Sequence, residues 1–166
     1  MCGINGVFHT GNKKVQYSSQ VEGMNIALQH RGPDDSGVYS DENISLGHQR
    51  LAIIDLSSDG HQPFLSVDEK FVIVYNGELY NYQEIKRQLK DYPFQTNTDT
   101  EVILAAYIAL GQDCVKLFNG MFSFAIWNKE QKELFIARDR AGIKPLYYSI
   151  QESCIVFSSE IRALLA

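Results

Sequence analysis

The stretch Phe71-Val72-Ile73-Val74-Tyr75-Asn76-Gly77-Glu78-Leu79-Tyr80-Asn81 decides the fold of this chain. Its first five residues are a continuous apolar run of strand length. Asn76-Gly77 is a strong turn dipeptide and predicts that the strand stops there. Glu78-Leu79-Tyr80-Asn81 does not resume a plain strand, which argues against an ordinary hairpin. Upstream, residues 55–63 are polar and punctuated by Gly and Pro, hence a loop. Before them, strands are expected at 37–40 and 44–54, and a first strand at 2–9 ended by Thr10-Gly11-Asn12. Residues 19–30 carry Val21, Met24 and Leu28 at helical spacing, and His30-Arg31-Gly32-Pro33-Asp34-Asp35 breaks that helix.

Downstream, Asn81 with Glu84 resembles a helix-start capping pair opening a helix to about residue 89. Thr98 with Glu101 fits the capping box better. There Ile103, Ala106, Tyr107 and Leu110 form an apolar stripe, and Gly111 is the stop. After Asn119-Gly120, residues 121–127 and 134–138 predict a hairpin across a charged turn. Residues 145–150 and 154–158 read as two more strands, and a helix starts at 159. Strands cluster at both ends and the two long helices lie between them, so the class is α+β and not alternating βαβ. The 166 residues suit one domain, 1–166, and the apolar end Ala163-Leu164-Leu165-Ala166 predicts that a longer polypeptide continues beyond it.

The bulk numbers bound the function. With 45% hydrophobic and 11% aromatic residues the chain fills a core. Fifteen Lys and Arg against 20 Asp and Glu leave a net charge of −5, which argues against a nucleic-acid partner. No run of about 18 apolar residues occurs, so no membrane span is expected. The N-terminus has no basic stretch followed by an apolar core, and a cytoplasmic location is expected. Three widely spaced cysteines, Cys2, Cys114 and Cys154, argue against a disulfide framework and a thiolate metal site. Cys114 and Cys154 sit in apolar sequence and read as core thiols.

The chemistry starts at Cys2. Removal of Met1 would give Cys2 a free α-amine, with a reference pKa of about 7.7–8.0 beside a thiol of about 8.5. Nucleophile and base are then one residue, and no histidine is needed. His30, His48 and His61 accordingly read as structural or loop-forming, and Trp127, Phe118, Phe122 and Phe124 as core. Attack on an amide makes a tetrahedral oxyanion, which needs fixed donors. Asn76 and Gly77 offer a side-chain amide and a backbone N–H side by side. Arg50, in the strand-like stretch 47–54, is a charge amid apolar neighbours; it is either a strand-edge surface arginine or the partner of a carboxylate. Asp99 lies in the helix-start sequence Asn97-Thr98-Asp99-Thr100-Glu101. There it either stabilises the helix dipole or receives a ligand's ammonium.

These residues carry a family resemblance. Met1-Cys2-Gly3-Ile4, His30-Arg31-Gly32-Pro33-Asp34, His48-Gln49-Arg50-Leu51-Ala52-Ile53-Ile54-Asp55, Tyr75-Asn76-Gly77-Glu78-Leu79-Tyr80-Asn81 and Thr98-Asp99-Thr100-Glu101 occur in that order. Residues 138–148, beginning Arg138-Asp139-Arg140, and Ser158-Ser159-Glu160-Ile161-Arg162-Ala163-Leu164 follow. The ordered set resembles the class II glutamine amidotransferase domain of glutamine-hydrolysing asparagine synthetases, N-terminal-nucleophile glutaminases, over almost the whole chain.

The resemblance implies a four-layer αββα sandwich of two antiparallel sheets. It implies Cys2 as nucleophile and Asn76 with Gly77 as the oxyanion-hole pair. Arg50 would hold the glutamine α-carboxylate and Glu78 and Asp99 its ammonium, while Leu51, Ala52, Ile53 and Ile54 would line the pocket. The expected partners are L-glutamine and a C-terminal synthetase domain absent from this chain, and a homodimer is left open. No metal or cofactor is expected here, and ATP and Mg belong to the missing synthetase part. The alternatives are a glutaminase serving an amino-sugar or purine acceptor, a catalytically silent glutamine-binding domain, and a redox-sensing Cys2.

Overall fold

The computed structural model describes residues 1–11, 15–52 and 58–166. In chain order the strands are β1 (Gly3–His9), β2 (Asp35–Ser40), β3 (Ile44–Arg50), β4 (Phe64–Leu65), β5 (Phe71–Leu79), β6 (Gly120–Asn128), β7 (Glu133–Arg138), β8 (Tyr147–Gln151) and β9 (Cys154–Ser158). The α-helices are α1 (Ser18–Leu28), α2 (Tyr82–Gln88), α3 (Asp99–Leu110) and α4 (Ile161–Leu164). One sheet has the order β2-β3-β1-β9-β8 and the other β4-β5-β6-β7. Every pairing is antiparallel.

Side chains that alternate along each strand separate three apolar layers. Ile4, Leu46, Val72, Val74, Trp127 and Phe157 fill the space between the sheets. Val7 on the opposite face of β1 packs on Val21, Met24 and Leu28 of α1 and Ala163 of α4. Ile73, Tyr75 and Phe124, on the outer face of the second sheet, pack on Ile85 of α2 and Ile103 and Ala106 of α3. Helix, sheet, sheet and helix stack as the resemblance implied.

Most predicted elements stand within a residue or two of their observed ends. The prediction that β5 stops at Asn76-Gly77 is wrong. The strand runs on to Leu79 because β6 pairs with it without a break from Phe71↔Asn128 to Leu79↔Gly120. Gly77 is required there by close approach. A β-carbon would run into Met121 O, the Tyr75 ring at 2.7 Å and Phe122 Cα at 2.8 Å. Strand β3 ends at Arg50, and the predicted continuation to 54 falls partly on residues 53–57, outside the described residues.

The capping signals divide. Thr98 Oγ1 accepts from Glu101 N at 3.4 Å, and Gly111 at φ 59° stops α3. Glu101 does not return to Thr98; its carboxylate takes the N–H groups of Gln95 and Thr96. Asn81 precedes α2 without capping it. Its amide instead donates to Leu117 O at 2.9 Å and its carbonyl accepts from Asn119 N at 3.0 Å. Cys114 is a core thiol, raised to about 12 by burial. Cys154 is not in apolar surroundings. It is half-buried beside the Tyr17 hydroxyl at 3.1 Å and His9 Nδ1 at 3.6 Å.

Candidate active site

Strand parity brings the chemistry together. Ile4 faces the other sheet, so Cys2, two residues back along β1, faces it too. The Ile4↔His48 and Gly3↔Gln49 pairs set the register that places Cys2 next to Arg50 at the end of β3. His48 lies on the same face, with Nε2 donating across the gap to Tyr75 O at 3.1 Å. On β5, Val72 and Val74 face inward, so Asn76 and Glu78 continue that row. Cys2, Arg50, Asn76, Gly77, Glu78 and Asp99 all line one cavity of about 430 Å³.

Cys2 is held at both ends. Cys2 Sγ lies 3.7 Å from Leu51 O, to which it donates, and accepts from Leu51 N at 3.4 Å. Arg31 Nε donates to Cys2 O at 2.9 Å, and Arg31 Nη1 is braced by Glu160 Oε1 at 2.8 Å. Asp34 takes Ala52 N at 2.9 Å and gives its own N–H to Arg50 O at 3.1 Å. The His30-Arg31-Gly32-Pro33-Asp34 segment thereby fixes both Cys2 and the Leu51-Ala52 wall. Leu51 and Ala52 line the cavity as expected. Ile53 and Ile54 lie outside the described residues.

Two donors belong to residues that line the site. Asn76 is buried, and its Nδ2 has no hydrogen-bond partner among the described residues. A buried donor left unpaired costs about 1–3 kcal/mol, so its persistence asks for an acceptor that arrives later. The second donor is the N–H of Gly77. Phe122, opposite Gly77, directs its own N–H and C=O to Asp139, away from β5. Gly77 and Phe122 are therefore a non-hydrogen-bonded pair, and Gly77 N–H points to the other edge of β5. The same edge at Ile73 is covered by β4, and at Tyr75 by Gln62 Oε1, which accepts Tyr75 N at 2.6 Å. At Gly77 that edge meets the cavity.

The far wall is the start of α3. Asp99 Oδ2 accepts from the Tyr75 hydroxyl at 2.8 Å and from Leu79 N at 3.0 Å. Burial raises its carboxyl above the usual carboxylate range, against the opposite pull of those two bonds. A cation beside it would restore the ionised form. Glu78 is exposed at the mouth. Arg50 is buried with its guanidinium packed on Gly60, where a β-carbon would collide with it.

The three histidines stand outside this wall. His48 is fully buried and held far below its ordinary range, at about 3, by burial. His30 bonds Glu160 and His61 bonds Asp35. Gln62, Tyr75 and Lys144 were not singled out from the sequence. Gln62 ties Tyr75 N to Thr100 Oγ1, at 3.2 Å from its Nε2, which locks β5 to the first turn of α3. Only contacts across long stretches of chain reveal it. Lys144 carried one weak signal, a lone charge between Ile143 and Pro145-Leu146.

The model of the glutamine amidotransferase domain family matches residues 1–166. The chain is 41% identical over 170 residues to the glutamine-hydrolysing asparagine synthetase 3 of Bacillus subtilis, covering 100% of this chain and 28% of that protein. It is 38% identical over 167 residues to asparagine synthetase B of Escherichia coli, covering 99% and 30%. It is 42% identical over 165 residues to the asparagine synthetase of Zea mays, covering 99% and 28%. The chain thus spans under a third of the length of these three relatives. Among solved structures, a glutamine phosphoribosylpyrophosphate amidotransferase from B. subtilis superposes with a TM-score of 0.78 at 23% identity, covering 98% of this chain and 43% of that one. An allosteric regulatory enzyme of purine biosynthesis superposes with a TM-score of 0.81 at 22% identity, with the same coverage. These two likenesses show the N-terminal-nucleophile hydrolase fold. With its full length inside the family model, the chain belongs to the glutamine amidotransferase domain family.

Proposed function

We propose that this chain hydrolyses the side-chain amide of L-glutamine through a thioester on Cys2, as the ammonia-releasing N-terminal part of an asparagine synthetase. The observation that carries the reading is the buried, unpartnered Asn76 amide in the wall of the cavity that also holds the Cys2 thiol. In this reading glutamine seats its α-carboxylate on Arg50 and its ammonium between Asp99 and Glu78. Met1 has been removed, and the free Cys2 amine takes the thiol proton. Sulfur attacks the amide carbon, and Asn76 Nδ2 and Gly77 N–H receive the oxyanion. Collapse breaks the C–N bond. The ammonium of Cys2 returns its proton to the leaving nitrogen, and ammonia departs. Water, deprotonated by the same amine, attacks the thioester and releases glutamate and the thiol.

These steps draw on no metal or cofactor of this domain. ATP and Mg would serve a C-terminal synthetase part, where the ammonia would be spent on an aspartyl amide. The names and lengths of the relatives support that assignment of the acceptor.

The test is glutamate release from L-glutamine by protein whose loss of Met1 is verified by intact mass. Wild type should turn over, and a glutamine-analogue electrophile should add once, at Cys2. Cys2→Ala should lose hydrolysis entirely while still binding glutamine in calorimetry. Normal turnover by Cys2→Ala would remove the nucleophile assignment.

A further inference from the structure

Lys144 is a buried cation with an unusual partner. The residue is 4% exposed and lines the same cavity as Cys2. Its Nζ donates to Met1 Sδ at 3.2 Å, and among the described residues no carboxylate pairs with it. A buried ammonium without a counter-ion is unfavourable, so a fold that keeps one needs a reason. The surrounding loop is built to hold it. Asp139 takes the N–H groups of Ile143 at 2.9 Å and Lys144 at 3.0 Å, and Arg138 Nε donates to Lys144 O at 2.6 Å. Gly142, at φ 66°, makes the turn that closes it.

Met1 is the residue whose removal the proposed glutaminase chemistry requires. Removal takes away the one hydrogen-bond partner that Nζ has among the described residues at the moment it creates the Cys2 amine. The covalent path from Met1 Sδ to the Cys2 nitrogen is short, so Nζ stands within about 9 Å of that nitrogen. Other charges face the same residue. Arg31 reaches it from the turn after α1 and Arg50 from β3. Glu78 stands on β5, Asp99 on α3 with the Tyr75 hydroxyl against it, and the Cys2 thiol on the residue itself.

We propose that Lys144 is a positioning residue acting through Cys2: uncovered by loss of Met1, its ammonium disfavours protons on the Cys2 amine and thiol and sets the pH at which they react. A positive neighbour favours the neutral amine over the ammonium and the thiolate over the thiol, so both effects run in one direction. The inference rests on the glutaminase reading for its purpose, but not for its measurement.

The experiment uses the whole chain with Met1 loss confirmed by intact mass, as wild type, K144M and K144R, with K144Q as a second neutral variant should the Met side chain not pack. Thiol alkylation of Cys2 by iodoacetamide is followed against pH by peptide mass spectrometry, which separates Cys2 from Cys114 and Cys154. The midpoint should rise by about one pH unit in K144M or K144Q and stay in place in K144R. The acid limb of kcat/KM for glutamine should move upward by a similar amount, with KM little changed. A midpoint unmoved in the neutral variants, or moved equally in K144R, overturns the inference. If wild type shows no glutamine hydrolysis while the alkylation midpoint shifts as stated, the glutaminase reading fails and the role of Lys144 stands. If hydrolysis is normal and the midpoints coincide, the reverse holds.

Discussion

Asn76 concentrates the conflict between stability and function in one side chain. Its cross-strand neighbour Ser123 also carries an unpaired, buried polar atom, so this spot in the space between the sheets is short of hydrogen bonds. Removing the Asn76 Nδ2 donor therefore breaks no hydrogen bond to a described residue. Asn76→Ala is expected to leave the melting temperature unchanged or higher. If the amide receives an oxyanion, the same change should lower kcat by about 10²–10³ with little effect on KM. Asn76→Asp keeps the shape but replaces the donor by an acceptor, and should be at least as damaging. Steady-state kinetics and thermal melts on both variants separate the roles; a kcat near wild type in Asn76→Asp would rule out the oxyanion assignment. At this scale the sequence was informative where a residue type was out of place, as with Arg50 amid apolar neighbours. It was silent on Gln62 and Tyr75, whose importance is made by partners far away in the chain.

Among the elements, α3 shows what local signals can and cannot fix. Its start was legible because Thr98 and Glu101 interact within one turn, and its end because Gly111 takes a positive φ. The passage of β5 through Asn76-Gly77 was not legible, since the turn preference of that dipeptide is overridden by pairing with β6, more than forty residues on. Strand β4 was missed because two residues carry no period. Helix α3 opens on Asp99, so its cap bears on the site directly. Thr98→Ala should remove about 1 kcal/mol of stability and lower Tm by about 2–4 °C in a protein of this size. It should also loosen Asp99 and raise KM for glutamine more than it lowers kcat. Thr98→Ser restores the hydroxyl and should recover both. A Tm loss with unchanged KM would mean that Tyr75 and Leu79 hold Asp99 without the cap.

Across the whole molecule, the two sheets are joined by apolar packing, by the bond from Trp127 Nε1 to Asp41 and, beside the site, by the bond from His48 to Tyr75 O. Because a carbonyl only accepts, Nε2 carries the proton, and Nδ1 is a buried acceptor with no partner among the described residues. Protonating Nδ1 would place a cation and an unpaired donor between the sheets. Burial is accordingly the main reason that His48 stays neutral down to about pH 3 in the fold, against an ordinary value of 6.5. The sign follows from proton counts. Between pH 6.5 and about 3 the unfolded chain binds a proton at this residue and the folded chain does not. The contribution to stability is complete above pH 6.5 and drains away as the pH falls. From pH 7.5 to pH 5 the loss from His48 alone is about 2 kcal/mol. His48→Gln keeps a donor for Tyr75 O without a titrating ring. In urea unfolding at those two pH values, wild type should lose about 2 kcal/mol more than His48→Gln, with similar m-values. Equal losses would place the acid sensitivity of the fold elsewhere. Tyr75 also orients Asp99 and precedes Asn76, so the acid transition that separates the sheets should abolish turnover with it.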